Sequence, residues 1–168
     1  GAINIVTGLG EEAGAALSRH RGVAHLSFTG SVAVGQLIQA AAAQNTIPVT
    51  LELGGKSPQI VFADADLDAA LPFLVNAGIQ NCGQTCSAAS RILVERAVYD
   101  EVVARMAERY QALRVGRAMD DLDVGPVISA RQREIVEGYL SLAREGGLRS
   151  PGQASFAPGL PAGGYYVK

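Results

Sequence analysis

Leu26-Ser27-Phe28-Thr29-Gly30-Ser31-Val32-Ala33-Val34-Gly35 is the stretch whose reading decides the fold. Entered through Ala24-His25, its first half reads as a buried strand; residues 29–35 then turn that strand into a helix continuing through Gln36-Leu37-Ile38-Gln39-Ala40-Ala41. Ser31 can cap the helix start, and Val34, Leu37, Ile38 and Ala41 fall at helical spacing on one face, predicted to be buried. A helix start of this kind presents unpaired amides and the positive end of the helix dipole. Gly35 keeps its first turns free of side-chain bulk, so a phosphate can bind there; an ordinary capped helix fits the same pattern.

Upstream, Ile3-Asn4-Ile5-Val6 reads as a short strand, followed by a turn at Gly8 and Gly10 and a short helix over residues 11–17. Together with Gly14, those glycines miss the spacing of the dinucleotide-binding fingerprint, so a turn explains them as well as a ligand would. His20 and His25 flank the next connection, with no second ligand at metal spacing. Downstream, Pro48-Val49-Thr50-Leu51-Glu52-Leu53 is another strand; Gly54-Gly55-Lys56-Ser57-Pro58 then leads to the strand Gln59-Ile60-Val61-Phe62. Strands alternating with helices predict crossover connections and an α/β fold, with parallel-sheet layers flanked by helices. Ligands gather at the carboxyl ends of such strands. Glu52 lies near one of those ends between Leu51 and Leu53, a place suited to a general base, or equally to a solvent-facing glutamate on an alternating strand.

Asp64-Ala65-Asp66-Leu67-Asp68 supplies caps for a helix with Leu67, Leu71, Leu74, Val75 and Ile79 inward. Pro72 predicts either a start nearer Asp68 or a kink. That helix delivers the chain to Asn81-Cys82-Gly83-Gln84-Thr85-Cys86-Ser87-Ala88-Ala89-Ser90-Arg91. A cysteine amid Gly, Gln, Thr and Ser is unlike a core cysteine, which sits in an apolar run; Cys86 reads either as a reactive thiol or as an incidental one. Arg91-Ile92-Leu93-Val94-Glu95 is the next strand. A helix from Ala97 to about Leu113 follows, with Tyr99, Val102, Val103, Met106 and Tyr110 on one side. The carboxylates of Asp120-Asp121-Leu122-Asp123 lack the calcium-loop pattern and read as solvated. Ser129-Ala130-Arg131-Gln132 opens a helix with Ile135, Val136, Tyr139 and Leu140 inward, ending at Gly146-Gly147. Residues 150–164 read as an exposed loop, and Tyr165-Tyr166-Val167 as the start of a strand.

Composition narrows the function classes. With 48% apolar and 18% charged residues the 168-residue chain is of ordinary globular type, and it has no apolar run of the roughly 18 residues that a membrane span needs. A net charge of -2 gives no electrostatic reason to expect nucleic acid or an anionic membrane as partner. Cys82 and Cys86 match neither a zinc framework nor a thioredoxin motif, so no metal site is expected and the thiols are expected to be reduced in a cytosolic protein.

Phe28-Thr29-Gly30-Ser31-x-x-x-Gly35, Leu51-Glu52-Leu53-Gly54-Gly55-Lys56-Ser57-Pro58 and Gly83-Gln84-x-Cys86 with Ser90-Arg91 together resemble the aldehyde dehydrogenase superfamily. The spacing from Glu52 to Cys86 also fits, and weaker similarity runs from Asn4-Ile5-Val6 to Gly164-Tyr165-Tyr166-Val167. The resemblance implies that Cys86 attacks an aldehyde carbonyl, that its backbone N–H stabilises the oxyanion, and that Glu52 activates water to release a carboxylic acid. It further implies that Gly30, Ser31 and Gly35 approach the pyrophosphate of NAD or NADP, NAD being the commoner choice, with Leu53 and Gly54 near the nicotinamide. Members that pass the acyl group to coenzyme A generally lack a glutamate at this position, so water is the expected acceptor. Cys82 has no catalytic counterpart in the motif.

The resemblance also implies an Asn donating to the oxyanion, ribose-binding residues and a further Glu, none of which lies in these residues. The chain opens without methionine and is expected to be an internal segment of a longer protein, inactive as an isolated piece. Residues 1–50 are then the end of a cofactor domain and 51–168 the start of a catalytic domain. A homo-oligomer, dimer or tetramer, is expected of the whole protein. Two other readings stay open: cofactor-independent acyl transfer or ester hydrolysis through Cys86, and a non-catalytic structural descendant.

Overall fold

The computed structural model describes residues 1–168, which divide into two compact units, Gly1–Gly55 and Lys56–Lys168. Residues 50 and 51 both lie in the strand Val49–Leu53, which belongs to the first unit.

In the first unit, strand β1 (Leu26–Gly30) pairs in parallel with β2 (Val49–Leu53). A parallel pair cannot be closed by a tight turn, so the chain crosses over through a helix. A short helix α1 (Ala15–Arg19), continuing a π-turn over Gly10–Gly14, precedes β1, and α2 (Val32–Asn45) is the crossover. Ser31 caps α2 as the sequence predicts, its Oγ accepting the Val34 N–H at 3.3 Å. The buried face differs from the expected one. Gly35, Ala41 and Ala42 are buried and Ile38 half-buried, whereas Val34 and Leu37 are exposed. Small residues are what allow this approach: a Cβ on Gly35 would stand 2.7 Å from Cδ2 of Leu53. Ile3-Asn4-Ile5-Val6 is not a strand. Ile3, Ile5 and Val6 are each at least 80% exposed, and no strand of the chain pairs with them to supply the ladder bonds that define one.

The second unit repeats the crossover design twice. Strand β3 (Pro58–Val61) pairs in parallel with β4 (Arg91–Val94) through α3 (Leu67–Ile79), and β5 (Arg114–Val115) with β6 (Ser155–Phe156) through a segment containing α5 (Ala130–Glu145). The expected α/β fold with parallel strands and flanking helices is thus present, as three two-stranded sheets. Asp66 caps α3, its Oδ1 accepting from the N–H groups of Asp68 and Ala69 at 3.0 and 3.2 Å. The helix begins at Leu67, next to Asp68, and continues through Pro72, which has no N–H to give to the helix ladder. Leu67, Leu71, Leu74 and Val75 are buried with Val61, and α4 (Tyr99–Ala112) adds Val102 and Met106 to the same core. Ile79, Val98 and Tyr110 pack at its edge, and burial raises the pKa of the Tyr110 phenol.

Three expectations fail here because the sequence pattern underdetermines burial and strand pairing. On α5, Val136 and Leu140 are half-buried, while Ile135 and Tyr139 face outward. Residues 150–164 are not wholly loop, since Ser155 and Ala157 donate to the carbonyls of Leu113 and Val115 and so form β6. Conversely, Tyr165-Tyr166-Val167 forms no strand; the Tyr165 carbonyl instead accepts the Val127 N–H at 2.9 Å.

The core makes a contrast between neighbours on α3. Leu71 is fully buried and Phe73 is 75% exposed. Leu71→Ala is expected to cost about 2–5 kcal/mol, and Phe73→Ala under about 0.5 kcal/mol, in urea unfolding followed by circular dichroism. Equal losses would contradict this orientation of the helix.

Candidate functional site

In the first unit the predicted residues converge on one sheet edge because of strand register. Thr29 stands opposite Glu52, and Gly30 opposite Leu53, so the carboxyl ends of β1 and β2 coincide. The chain leaves β1 directly into the Ser31 cap of α2, whose first turn holds no acidic residue. That is the chemistry an anionic group requires: outward amides, the positive dipole end and no competing carboxylate. Glu52 is exposed on the alternating strand, with Leu51 and Leu53 half-buried on either side of it. Gly54 faces open space, where a side chain would meet nothing within 4 Å. Gly35 and Leu53 have a structural task in addition to any ligand contact, since they pack against each other where α2 crosses the sheet.

Cys86 belongs to the second unit, in the loop between α3 and β4. It is exposed, and it occupies the second position of a turn closed by the Ala88 N–H bonding to the Thr85 carbonyl at 3.1 Å. The turn bond uses the N–H of Ala88, leaving the amide of Cys86 outside it. Cys82 is half-buried, and its Sγ lies 3.7 Å from where a Cβ on Gly125 would be. It lines a cavity of about 550 Å³ behind the loop with Asn76, Gln80 and Asp123, whereas Cys86 does not.

Three contacts that the sequence did not make legible fix this loop. Arg91 Nε and Nη2 donate to the Lys56 carbonyl at 3.0 and 2.6 Å, tying the start of β4 to the entry of β3. The Ala89 N–H donates to the Ala77 carbonyl at 3.0 Å, anchoring the loop exit to α3. Gln84 Oε1 accepts the Ile128 N–H at 2.9 Å, a bond spanning 44 positions. The only available signal was that Gln84 and Arg91 stand in the cysteine motif itself. The carboxylates downstream are occupied locally: Asp123 Oδ2 accepts the Arg114 N–H at 2.8 Å, and hydrogen bonding by Arg117 holds the Asp120 carboxyl below its ordinary pKa. No group of three or more His, Cys, Asp or Glu residues is arranged to hold a metal ion, and no helix is long and apolar enough to cross a membrane.

The model of the aldehyde dehydrogenase family matches residues 1–168. The chain belongs to the aldehyde dehydrogenase family. A crystal structure from Burkholderia cenocepacia, assigned to the aldehyde dehydrogenases, superimposes with a TM-score of 0.97 at 57% identity, over 99% of this chain and 35% of that one. Betaine aldehyde dehydrogenase from Staphylococcus aureus, solved with NAD+, gives a TM-score of 0.78 at 39% identity over 84% of this chain and 28% of that one. An aldehyde dehydrogenase of Emericella nidulans is 47% identical over 88% of this chain and 30% of its own length. The chain thus spans about a third of the length of these relatives.

One hydroxyl beside Cys86 is unpaired. Thr85 Oγ1 is buried without a hydrogen-bond partner, a condition that costs about 1–3 kcal/mol in desolvation. Thr85→Val is therefore expected to leave the unfolding free energy unchanged or to raise it by about 1 kcal/mol; a loss of that size would show that the hydroxyl makes a stabilising bond.

Proposed function

We propose that the full-length chain oxidises aldehydes to carboxylic acids with NAD or NADP, through Cys86 as nucleophile and Glu52 as base. The observation that carries this reading is Cys86 itself, an exposed thiol on the outer position of a hydrogen-bonded turn, within the motif that matches the family. As thiolate, its sulfur adds to the carbonyl carbon and the carbonyl oxygen becomes an alkoxide, giving the thiohemiacetal in its anionic form. The Cys86 N–H, outside the turn's own bond, is placed to donate to that oxygen as charge develops. The nicotinamide cofactor, when bound, supplies the acceptor for the hydride lost as the thiohemiacetal becomes a thioester. Glu52 then takes a proton from water, the water oxygen attacks the acyl carbon, and the Cys86 sulfur leaves with the carboxylic acid as product.

The helix start at Gly30 and Ser31 is where the cofactor pyrophosphate would rest, on amides that no carboxylate of that turn disputes. Leu53 and Gly54, at the same edge, would border the nicotinamide; Gly54 offers open space for a flat ring, and Gly35 keeps the helix close to the sheet behind it. NAD is favoured because the S. aureus relative was solved with NAD+. On this reading Gly1–Gly55 is cofactor-domain material and Lys56–Lys168 the opening of a catalytic domain, within a cytosolic homo-oligomer, dimer or tetramer.

Two substitutions test the roles separately. Cys86→Ser is expected to abolish aldehyde oxidation, measured by cofactor absorbance; full activity would remove Cys86 as the nucleophile. Glu52→Gln is expected to give one burst of reduced cofactor per site, followed by turnover slowed about 100-fold or more. Steady turnover at the original rate would instead mean that water is activated elsewhere.

A further inference from the structure

We propose that Gln84 is a positioning residue that holds the Cys86 thiol in its reactive place by clasping a strained left-handed turn; this deepens the reading of Cys86 as nucleophile and rests on it. Asn81, Cys82 and Gly83 have φ of 49°, 59° and 73°, three consecutive residues in the left-handed region. For residues other than glycine that conformation costs about 1–2 kcal/mol each, so a run of this kind persists only where its surroundings enforce it.

The enforcing contacts centre on one carboxamide. The Asn81 carbonyl accepts both the Gln84 backbone N–H and Gln84 Nε2, each at 3.1 Å. Asn81 Nδ2 donates back to the Gln84 carbonyl at 3.4 Å. The remaining amide atom, Gln84 Oε1, accepts the Ile128 N–H. The receiving segment is itself fixed, since the neighbouring Val127 is buried and donates to the Tyr165 carbonyl. Donor and acceptor of one side chain are therefore both engaged, one closing the turn and the other tying it to a segment distant in sequence.

What lies beyond the clasp is the nucleophile. From Gln84 the chain enters the Thr85–Ala88 turn that carries Cys86, and it is caught again where Ala89 bonds to Ala77 on α3. The turn is thus suspended between two anchors, and releasing the first frees the backbone two residues from the reacting sulfur. Glutamine meets the requirement that glutamate or methionine does not. A carboxylate keeps the acceptor for Ile128 but sets negative charge against the Asn81 carbonyl, and a thioether of similar length offers neither bond.

The test uses Gln84→Met and Gln84→Glu in the full-length chain. Gln84→Met is expected to lower kcat about 100-fold, as a nucleophile misplaced by about 1 Å does, while KM for aldehyde stays within about twofold and the thermal midpoint within a few degrees. Gln84→Glu, with one bond retained, is expected to fall between Met and wild type. Hydrogen exchange of the amides in residues 81–89 should quicken about tenfold in Gln84→Met, with α4 unchanged. A kcat within about twofold of wild type in both variants, or a loss that only follows a general fall in stability, would overturn the proposal. If the wild-type chain oxidises no aldehyde, the dehydrogenase reading fails by itself. Exchange then decides the clasp, unchanged protection of residues 81–89 refuting it and faster local exchange upholding it.

Discussion

A parallel pair of strands cannot be joined by a hairpin, and the rest of this structure follows from that constraint. Each pair must be bridged by a crossover, and the chain meets the requirement three times, with α2, α3 and the segment that contains α5. In the first unit the constraint also creates chemistry. Because β1 and β2 run the same way, with Gly30 beside Leu53, the end of one strand, the cap of the crossover helix and Glu52 fall on a common edge. No residue of that edge has to be brought there by a special loop. Gly35 suits this close crossing, since a Cβ there would stand 2.7 Å from Cδ2 of Leu53 and that side chain would have to shift.

The second unit uses a different device to present Cys86. Its core, centred on Leu71, Val75, Val102 and Met106, fixes α3 and α4 by apolar burial, but the loop after α3 contributes little to that core. Hydrogen bonds hold the loop instead: Arg91 on Lys56, Ala89 on Ala77, and Gln84 on Asn81 and Ile128. Net contributions of about 1 kcal/mol per bond are of the same order as the cost of the left-handed residues Asn81 and Cys82, so the loop is held in place without being buried. An exposed thiol in a fixed position is what a nucleophile for a small electrophile needs. Cys82, half-buried beside Gly125, lacks that exposure.

Much of this was legible in the residues. The order of elements from β1 to α4, the Ser31 and Asp66 caps, the inward face of α3 and the loop location of Cys86 all follow from periodicity and cap chemistry. Failures came where local pattern does not determine environment. Val34 and Leu37 look inward by spacing alone, yet Gly35 and Ala42 face the sheet because closeness of approach, not hydrophobicity, selects that side. Ile3 and Ile5 have strand propensity without a strand to pair with, and β6 hides in a Pro- and Gly-rich stretch because its ladder depends on the distant Leu113 and Val115. The clasp of Gln84 was beyond sequence reading for the same reason, since its partner at Ile128 is a backbone amide with no side-chain signature.

Cys86, and not Cys82, is proposed to carry the acyl group that Glu52 releases. The most direct measurement is mass spectrometry of the full-length Glu52→Gln chain quenched in acid after mixing with an aldehyde and NAD+, with fragmentation of the peptide that contains both cysteines. The account predicts an acyl adduct on Cys86, absent when NAD+ is omitted, with Cys82 unmodified. An adduct on Cys82, or stoichiometric reduced cofactor with neither thiol acylated, would contradict it.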